Sequence, residues 1–294
     1  MRMSLDNSDN ISHTRPSGPR RLRLLSYNIQ AGIATSRYRH YLTHSWKHLL
    51  PHPQRLDTLD RMATILGDYD IVGLQEADGG SLRSNFINLT EYLAIQSRYP
   101  YWFDQTNRNL GGFARHSLGF LSRYRPTEIT EVRLPGMIPG RGSIMVRFGW
   151  REDALVMMIT HLALGRRGRL QQLGRIADLV SEFRHVIVMG DFNCSSDSLE
   201  VNWLRERTNL REPVHGLHTF PSWRPEHALD HILVSPSLSI ERSEVVNHPV
   251  SDHLPVAMEV VLPDEVYLSG SGGSAVGTAL PRHPDNTRSA KRAS

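Results

Sequence analysis

The sequence predicts a mixed α/β fold in which two packed β-sheets carry helices on their outer faces. Three observations lead there. Short apolar runs that read as strands recur along the chain, while helical periodicity falls between only some of them, so strands and helices do not alternate strictly. Several neighbouring strands have hairpin-length connections, which gives mixed rather than all-parallel sheets. The stretch of ordinary globular composition, residues 21–263, is about 240 residues long and suits two sheets packed face to face.

Residues 1–20 are rich in Ser, Asn, Arg and Pro without periodicity and are expected to be disordered. Residues 21–28 (RLRLLSYN) form the first strand, and 34–56 an insert. Helical spacing covers 56–66, with Leu56, Leu59, Met62, Ala63 and Leu66 on one face, and a second helix is expected over 85–96. Between them lies a buried strand at 70–75 (DIVGLQ). From 99 to 146, short apolar runs broken by Gly, Pro and Asn predict several antiparallel strands: YWFDQ, SLGFLSR, TEITEVRL and GSIMVRF. A buried strand at 154–161 ends in a histidine, a helix covers 169–183, and residues 186–189 (VIVM) are a strand too short for a helix. Strands at 229–234, 239–246 and 254–261 close the body. Residues 264–294 have the Ser, Gly, Pro and Arg content of a flexible tail, which leaves one structured domain at 21–263.

At 39% hydrophobic and 22% charged residues, the composition of the 294-residue chain is that of an ordinary globular protein. No apolar run reaches the length of a membrane span, and residues 1–20 lack the apolar core of a signal peptide, so a cytoplasmic location is expected. The one cysteine, Cys194, excludes an intrachain disulfide framework and a thiolate metal cluster. Of the net charge of +4, each terminal segment carries +1, so the body lacks the basic stripe of a dedicated nucleic-acid binder. Only Lys47 and Lys291 among 34 basic residues are lysine, a skew best read as a bias of the coding genome.

The chemistry is concentrated where strands stop. Gly190 ends the run VIVM with a backbone free to turn, and Asp191 and Asn193 follow at the carboxyl edge where open α/β sheets place their sites. The same pattern recurs in Ser26-Tyr27-Asn28, Leu74-Gln75-Glu76, Ile159-Thr160-His161, Leu229-Asp230-His231 and Ser251-Asp252-His253. Each polar group alone reads as an ordinary solvated turn residue. Eight metal- or phosphate-competent side chains at strand ends do not.

The ordered motifs Tyr-Asn-Ile, Leu-Gln-Glu, Thr-His-Leu, Gly-Asp-Phe-Asn, Leu-Asp-His-Ile and Ser-Asp-His-Leu-Pro resemble the endonuclease/exonuclease/phosphatase superfamily, which includes DNase I-like nucleases, neutral sphingomyelinases, inositol polyphosphate phosphatases and deadenylases. The resemblance runs from Leu22 to Leu262 and implies a four-layer α/β sandwich, with a Mg²⁺-dependent phosphoester hydrolase site at one end. The residue types agree independently, because oxygen donors without thiolates select a hard cation, Mg²⁺ or Mn²⁺. The resemblance further implies Glu76 as principal metal ligand with Asn28 and Asp252 beside it. Asp191 then polarises water, and Asn193 orients phosphate or water. His161 contacts a non-bridging oxygen, and His253 contacts phosphate or moves a proton while Asp230 fixes its tautomer.

Departures from the family pattern bear on substrate. Nucleases of the exonuclease III type usually have Trp-Asn at the first motif and Trp-Arg-x-Asp-Tyr near the end. This chain has Tyr27-Asn28 and His227-Ala228-Leu229-Asp230-His231, with Gln30 where some members place a second acidic ligand. A small or lipid-linked phosphoester is therefore expected as the partner, with a metal-dependent nuclease acting on nucleic acid as the alternative and an inactive binding scaffold as the alternative of another class. In the insert, Leu42, Trp46, Leu49 and Leu50 share one helical face, and His40, Thr43, His44, Lys47 and His48 the other. Such a helix caps the site, meets a lipid headgroup layer, or packs its apolar face on the body. Arg141, Arg166, Arg169, His116 and Trp46 are the candidate substrate-binding residues; Arg169 and Gln172, one helical turn apart, could equally form a solvated face. Cys194 reads as a packing residue, and no Gly-x-Ser-x-Gly elbow is present for serine chemistry.

Overall fold

A computed structural model of the chain describes residues 20–30, 55–80, 87–110, 114–136, 141–212, 217–270 and 277–281. The insert with Trp46 and its histidine stripe lies outside the described residues, as do the side chains of Arg108, Arg115 and His116.

The first seven strands are β1 (Arg20–Asn28), β2 (Ile71–Asp78), β3 (Tyr101–Leu110), β4 (Ala114–Ser122), β5 (Glu128–Arg133), β6 (Gly142–Phe148) and β7 (Leu155–His161). They are followed by β8 (His185–Asp191), β9 (Asp230–Val234), β10 (Ser239–Val245), β11 (Val256–Leu262) and β12 (Thr278–Ala279). The α-helices are α1 (Arg55–Leu66), α2 (Leu89–Gln96), α3 (Arg166–Val180) and α4 (Leu199–Thr208). A seven-stranded sheet has the order β10-β11-β1-β2-β4-β3-β12, and a five-stranded sheet the order β5-β6-β7-β8-β9. Both are mixed: β1 and β2 are parallel, as are β7 and β8, while β8 and β9 are antiparallel. The expected two-sheet architecture is borne out.

Alternation along the strands builds the layers. In β8, Ile187 and Met189 face the other sheet, while Val186 and Val188 face the helices. In β1, Leu22 and Leu24 point into the sandwich, and Leu25 and Tyr27 pack under α1 and α2. The helices supply Leu59, Met62, Leu66, Leu89 and Leu93 on one side, and Leu173, Ile176, Val201 and Leu204 on the other, so three apolar layers separate four layers of secondary structure. The sheets approach closely at Gly73, where a Cβ would stand 2.7 Å from Met189 Cε.

Two features differ from the pattern read in the sequence. Helix α4 (Leu199–Thr208) has no periodic signature in the sequence. It buries only Val201, Leu204 and the stem of Glu200, and Leu199 at its start is exposed, which is too few apolar positions to set a helical period. Beyond Pro263 the chain still packs on the body: Val266 is fully buried, and Thr278–Ala279 pairs in parallel with Tyr101 and Trp102 of β3. Ser198 caps α4 by accepting from the Val201 N–H.

Candidate active site

Parallel pairing brings the carboxyl ends of β1, β2, β7 and β8 to the same end of the sandwich. In the small sheet His161 is in register with Asp191, and Asp191 with Asp230. In the large sheet Asn28 is in register with Gln75, next to Glu76. Strand ends that are far apart in sequence thus become neighbours.

Backbone irregularities aim the side chains. Gln75 and Glu76 together stand opposite Leu118 as a bulge between the Leu74–Gly119 and Ala77–Ser117 pairs, and Glu76 has φ of 54°. A bulge of this kind turns a side chain out of the alternating pattern. Asn193 also adopts a left-handed conformation, with φ of 53°. Its N–H donates to Asp191 Oδ1 (2.8 Å) and its Nδ2 to the Leu162 carbonyl (2.9 Å), the local side chain-to-backbone bonding that makes Asn suited to such turns. At Gly190, with φ of 147°, a Cβ would fall 1.9 Å from the Thr160 carbonyl oxygen, so only glycine fits between β7 and β8 at this point.

Asp191 is the centre. Its Oδ2 accepts from Asn28 Nδ2 (3.1 Å) and lies 3.4 Å from His161 Nε2 and 3.9 Å from His253 Nε2. Asn28 also favours the charged form of Glu76, and His161 Nε2 is 4.0 Å from Glu76 Oε1. His253 Nδ1 is 2.7 Å from Asp230 Oδ2, which further accepts from Thr219 Oγ1 (2.5 Å). Ser251 Oγ bonds the Asn28 carbonyl (2.7 Å) and Asp252 Oδ1 (3.2 Å), tying the last motif to the first. Asn28, Glu76, His161, Asp191, Asn193, Asp230, Asp252 and His253 are therefore linked through one connected network.

Its electrostatics are those of crowded carboxylates. Burial raises Asp191 to about 6, with Asp230 adding repulsion, and burial together with Glu76 raises Asp252 to about 6. Burial and the Asp191 charge raise Glu76 as well. Burial would lower His253, but Asp230, Asp191 and Asp252 outweigh it and lift the imidazole to about 10. Asp191, Asp230 and His253 offer ligand atoms within 4.8 Å of one another, yet Asp230 and His253 already hydrogen-bond each other. The oxygen donors that fit a hard cation are then those of Asn28, Glu76, Asp191 and Asp252, and such an ion would relieve the repulsion among the three carboxylates. Burial pushes the Cys194 thiol up, the reverse of an activated nucleophile.

The arginines divide. Arg141 stands close enough to favour the charged form of Glu76, and its Nη1 lies 3.4 Å from the His161 carbonyl. Arg169 instead pairs with buried Glu200 (2.8 Å) and donates to the Leu164 carbonyl, while Gln172 accepts from the Ala163 N–H (2.8 Å). These contacts brace the loop after His161 against α4. Arg166 reaches Glu200 at 3.9 Å and is mostly exposed. In the sequence Ser251 has no role of its own within its motif, and nothing signals Thr219 or Phe220, whose ring lies 4.9 Å from that of His253. A lone Thr or Phe in a Pro-containing loop carries no periodic or motif signal.

Fold and site together define a two-sheet sandwich with a carboxylate–histidine pocket at its strand ends. The sequence matches the Endonuclease/Exonuclease/phosphatase family over residues 25–253, and the chain belongs to that family of phosphoester hydrolases. A comparison with curated proteins gives no match. Solved structures share the fold: an endonuclease/exonuclease/phosphatase from Beutenbergia cavernae has TM-score 0.63 at 20% identity, covering 83% of this chain and 72% of that one. A mannosyl-6-phosphatase of Bacteroides thetaiotaomicron has TM-score 0.59 at 18% identity, with 82% and 100% covered. Sphingomyelinase C from Streptomyces griseocarneus has TM-score 0.53 at 16% identity, with 83% and 100% covered. Among the described residues no helix is long and apolar enough to cross a membrane.

Proposed function

We propose that the chain is a metal-dependent hydrolase of a small or lipid-linked phosphoester, a phosphodiesterase or phosphatase. The observation that carries the reading is the convergence on Asp191 Oδ2 of Asn28, His161 and His253, which come from separate strand ends. Glu76, Asn28 and Asp252 would hold Mg²⁺ or Mn²⁺, which when bound supplies positive charge beside the phosphoryl oxygens. Asp191 aligns an attacking water and draws on its proton. Asn193 orients water or phosphate from its fixed turn. His253 is protonated at neutral pH, with Nδ1–H held by Asp230, and presents Nε2–H to a phosphoryl or leaving-group oxygen. His161 and Arg141 contact non-bridging oxygens. The sphingomyelinase and sugar-phosphatase names among the structural neighbours support a non-nucleic-acid phosphoester.

The test is turnover of a phosphoester panel (sphingomyelin, inositol phosphates, sugar phosphates, DNA, RNA and bis-p-nitrophenyl phosphate) with Mg²⁺ and with Mn²⁺. Hydrolysis of a lipid or small phosphoester, lost on substituting Asp191 by Asn, is expected. Selective cleavage of nucleic acid would replace this reading with the nuclease one.

A further inference from the structure

His231 follows Asp230 in the chain but points away from the pocket, fully buried. Its Nε2 lies 2.8 Å from the Cys194 carbonyl oxygen, and its Nδ1 lies 3.0 Å from Glu212 Oε1. A carbonyl only accepts, so Nε2 must carry a hydrogen whichever side holds the proton between Nδ1 and Glu212. The bond to Cys194 is therefore a permanent donor–acceptor contact, and Glu212 fixes the ring from the other side.

Cys194 closes the turn that presents Asn193. That turn needs holding: Asn193 is in the left-handed region at φ of 53°, a conformation that L-residues adopt only when their surroundings fix it. The Phe192 N–H is bonded to the Leu229 carbonyl (2.8 Å), and the Phe192 ring lies 4.9 Å from the His231 ring. Residues 229–231 thus grip the turn on both sides of Asn193, at Phe192 and at Cys194. We infer that His231, braced by Glu212, is a positioning residue that locks the Asp191–Cys194 turn and so fixes the Asn193 carboxamide relative to Asp191. The assignment rests on the reading of Asp191 and Asn193 as site residues, and neither His231 nor Glu212 touches the reacting atoms.

The experiment is a double-mutant cycle on the full chain with Mg²⁺ and bis-p-nitrophenyl phosphate, together with hydrogen exchange of the Asn193 side-chain amide. His231→Phe keeps the ring against Phe192 and removes both polar contacts. It should lower kcat about 10- to 100-fold with KM little changed, yet lower it less than about twofold when Asn193→Ala is already present, because interacting positions are non-additive. Its melting temperature should fall equally in both backgrounds. Exchange of the Asn193 side-chain amide should speed about tenfold or more while amides in the middle of β7 keep their protection. If His231→Phe does not fold, Glu212→Gln is read in the same way, with a smaller loss expected. Equal kcat losses in both backgrounds, or a kcat near that of the parent, would overturn the inference, as would unchanged Asn193 exchange. If the unsubstituted protein does not turn over the diester, the functional reading is what fails, and the exchange measurement still decides the clamp.

Discussion

His253 Nδ1 lies 2.7 Å from Asp230 Oδ2, while Nε2 of the same ring is 3.9 Å from Asp191 Oδ2. One carboxylate anchors the ring through Nδ1 and the other stands near its Nε2 edge. The two bonds to Asp230, from His253 and from Thr219, converge on Oδ2, and buried Oδ1 has no hydrogen-bond partner among the described residues. Asp230→Asn keeps the shape and removes the charge that favours imidazolium. Turnover should fall about 100- to 1,000-fold, the scale of positioned acid–base catalysis, in a protein that still folds but melts at a lower temperature, because buried His253 loses the carboxylate that supports its charge. Steady-state kinetics beside a thermal melt will check this; retention of turnover would separate Asp230 from the chemistry.

Chelation by EDTA should abolish turnover, and Mg²⁺ or Mn²⁺ should restore it, because the carboxylates of Glu76, Asp191 and Asp252 otherwise crowd uncompensated charge in one pocket. Activity undiminished in EDTA would remove the metal from the reaction.

The pH dependence of stability follows from the same crowding. Asp191 and Asp252 are raised from 3.8 to about 6, so between these values the folded protein holds protons that the unfolded chain has released. Without metal, these two groups make stability fall as pH rises through that window. His253 works in another range: raised from 6.5 to about 10, it contributes stability that is full below 6.5 and is lost as pH rises through about 10. A divalent cation needs the carboxylates ionised, so the rise in melting temperature on adding Mg²⁺ should be small near pH 4 and grow toward pH 7. In EDTA at pH 7, Asp252→Asn should be more stable than the parent, with the advantage disappearing as the pH is lowered. The opposite trend would mean that Asp252 is held by a cationic partner rather than by burial.

Glycine at position 190 is demanded by backbone, not by side chains. Gly190→Ala puts a Cβ 1.9 Å from the Thr160 carbonyl at φ of 147°, and nothing flexible can yield. A loss above about 3 kcal/mol, or no soluble protein, is expected. Gly73→Ala meets Met189 Cε at 2.7 Å, the tip of a flexible side chain, and should cost only about 1–2 kcal/mol. Denaturant melts of the pair distinguish the two causes.

Arg169 and Glu200 form a nearly buried pair with side-chain exposures of 12% and 4%. Arg169→Ala leaves Glu200 without its closest cation and should cost about 3 kcal/mol, the scale for breaking a buried ion pair. The bracing role predicts little change in KM for bis-p-nitrophenyl phosphate when folded protein is compared. A large rise in KM with unchanged stability would return Arg169 to the substrate side.

Periodicity and short motifs made most of the fold and the reactive side chains legible in sequence. Apolar strands such as VIVM bury both faces, and that requirement is local to the run. The polar groups at their ends stood out because hydrophobic strands stop abruptly at Asn28, Glu76, His161 and Asp191. What the sequence could not decide was which of these polar groups meet. That depends on register and on parallel pairing, which place His161 beside Asp191 and bring Asn28 across from the other sheet. It also depends on the bulge at Glu76, which exists only in the pairing of β2 with β4. The arginines divide for the same reason: the charge of Arg169 is evident in sequence, but Glu200 becomes its partner only once α4 packs beside α3. Local chemistry sets what each side chain can do, and long-range packing sets its neighbours, because a contact between strand ends is closed by the whole sandwich.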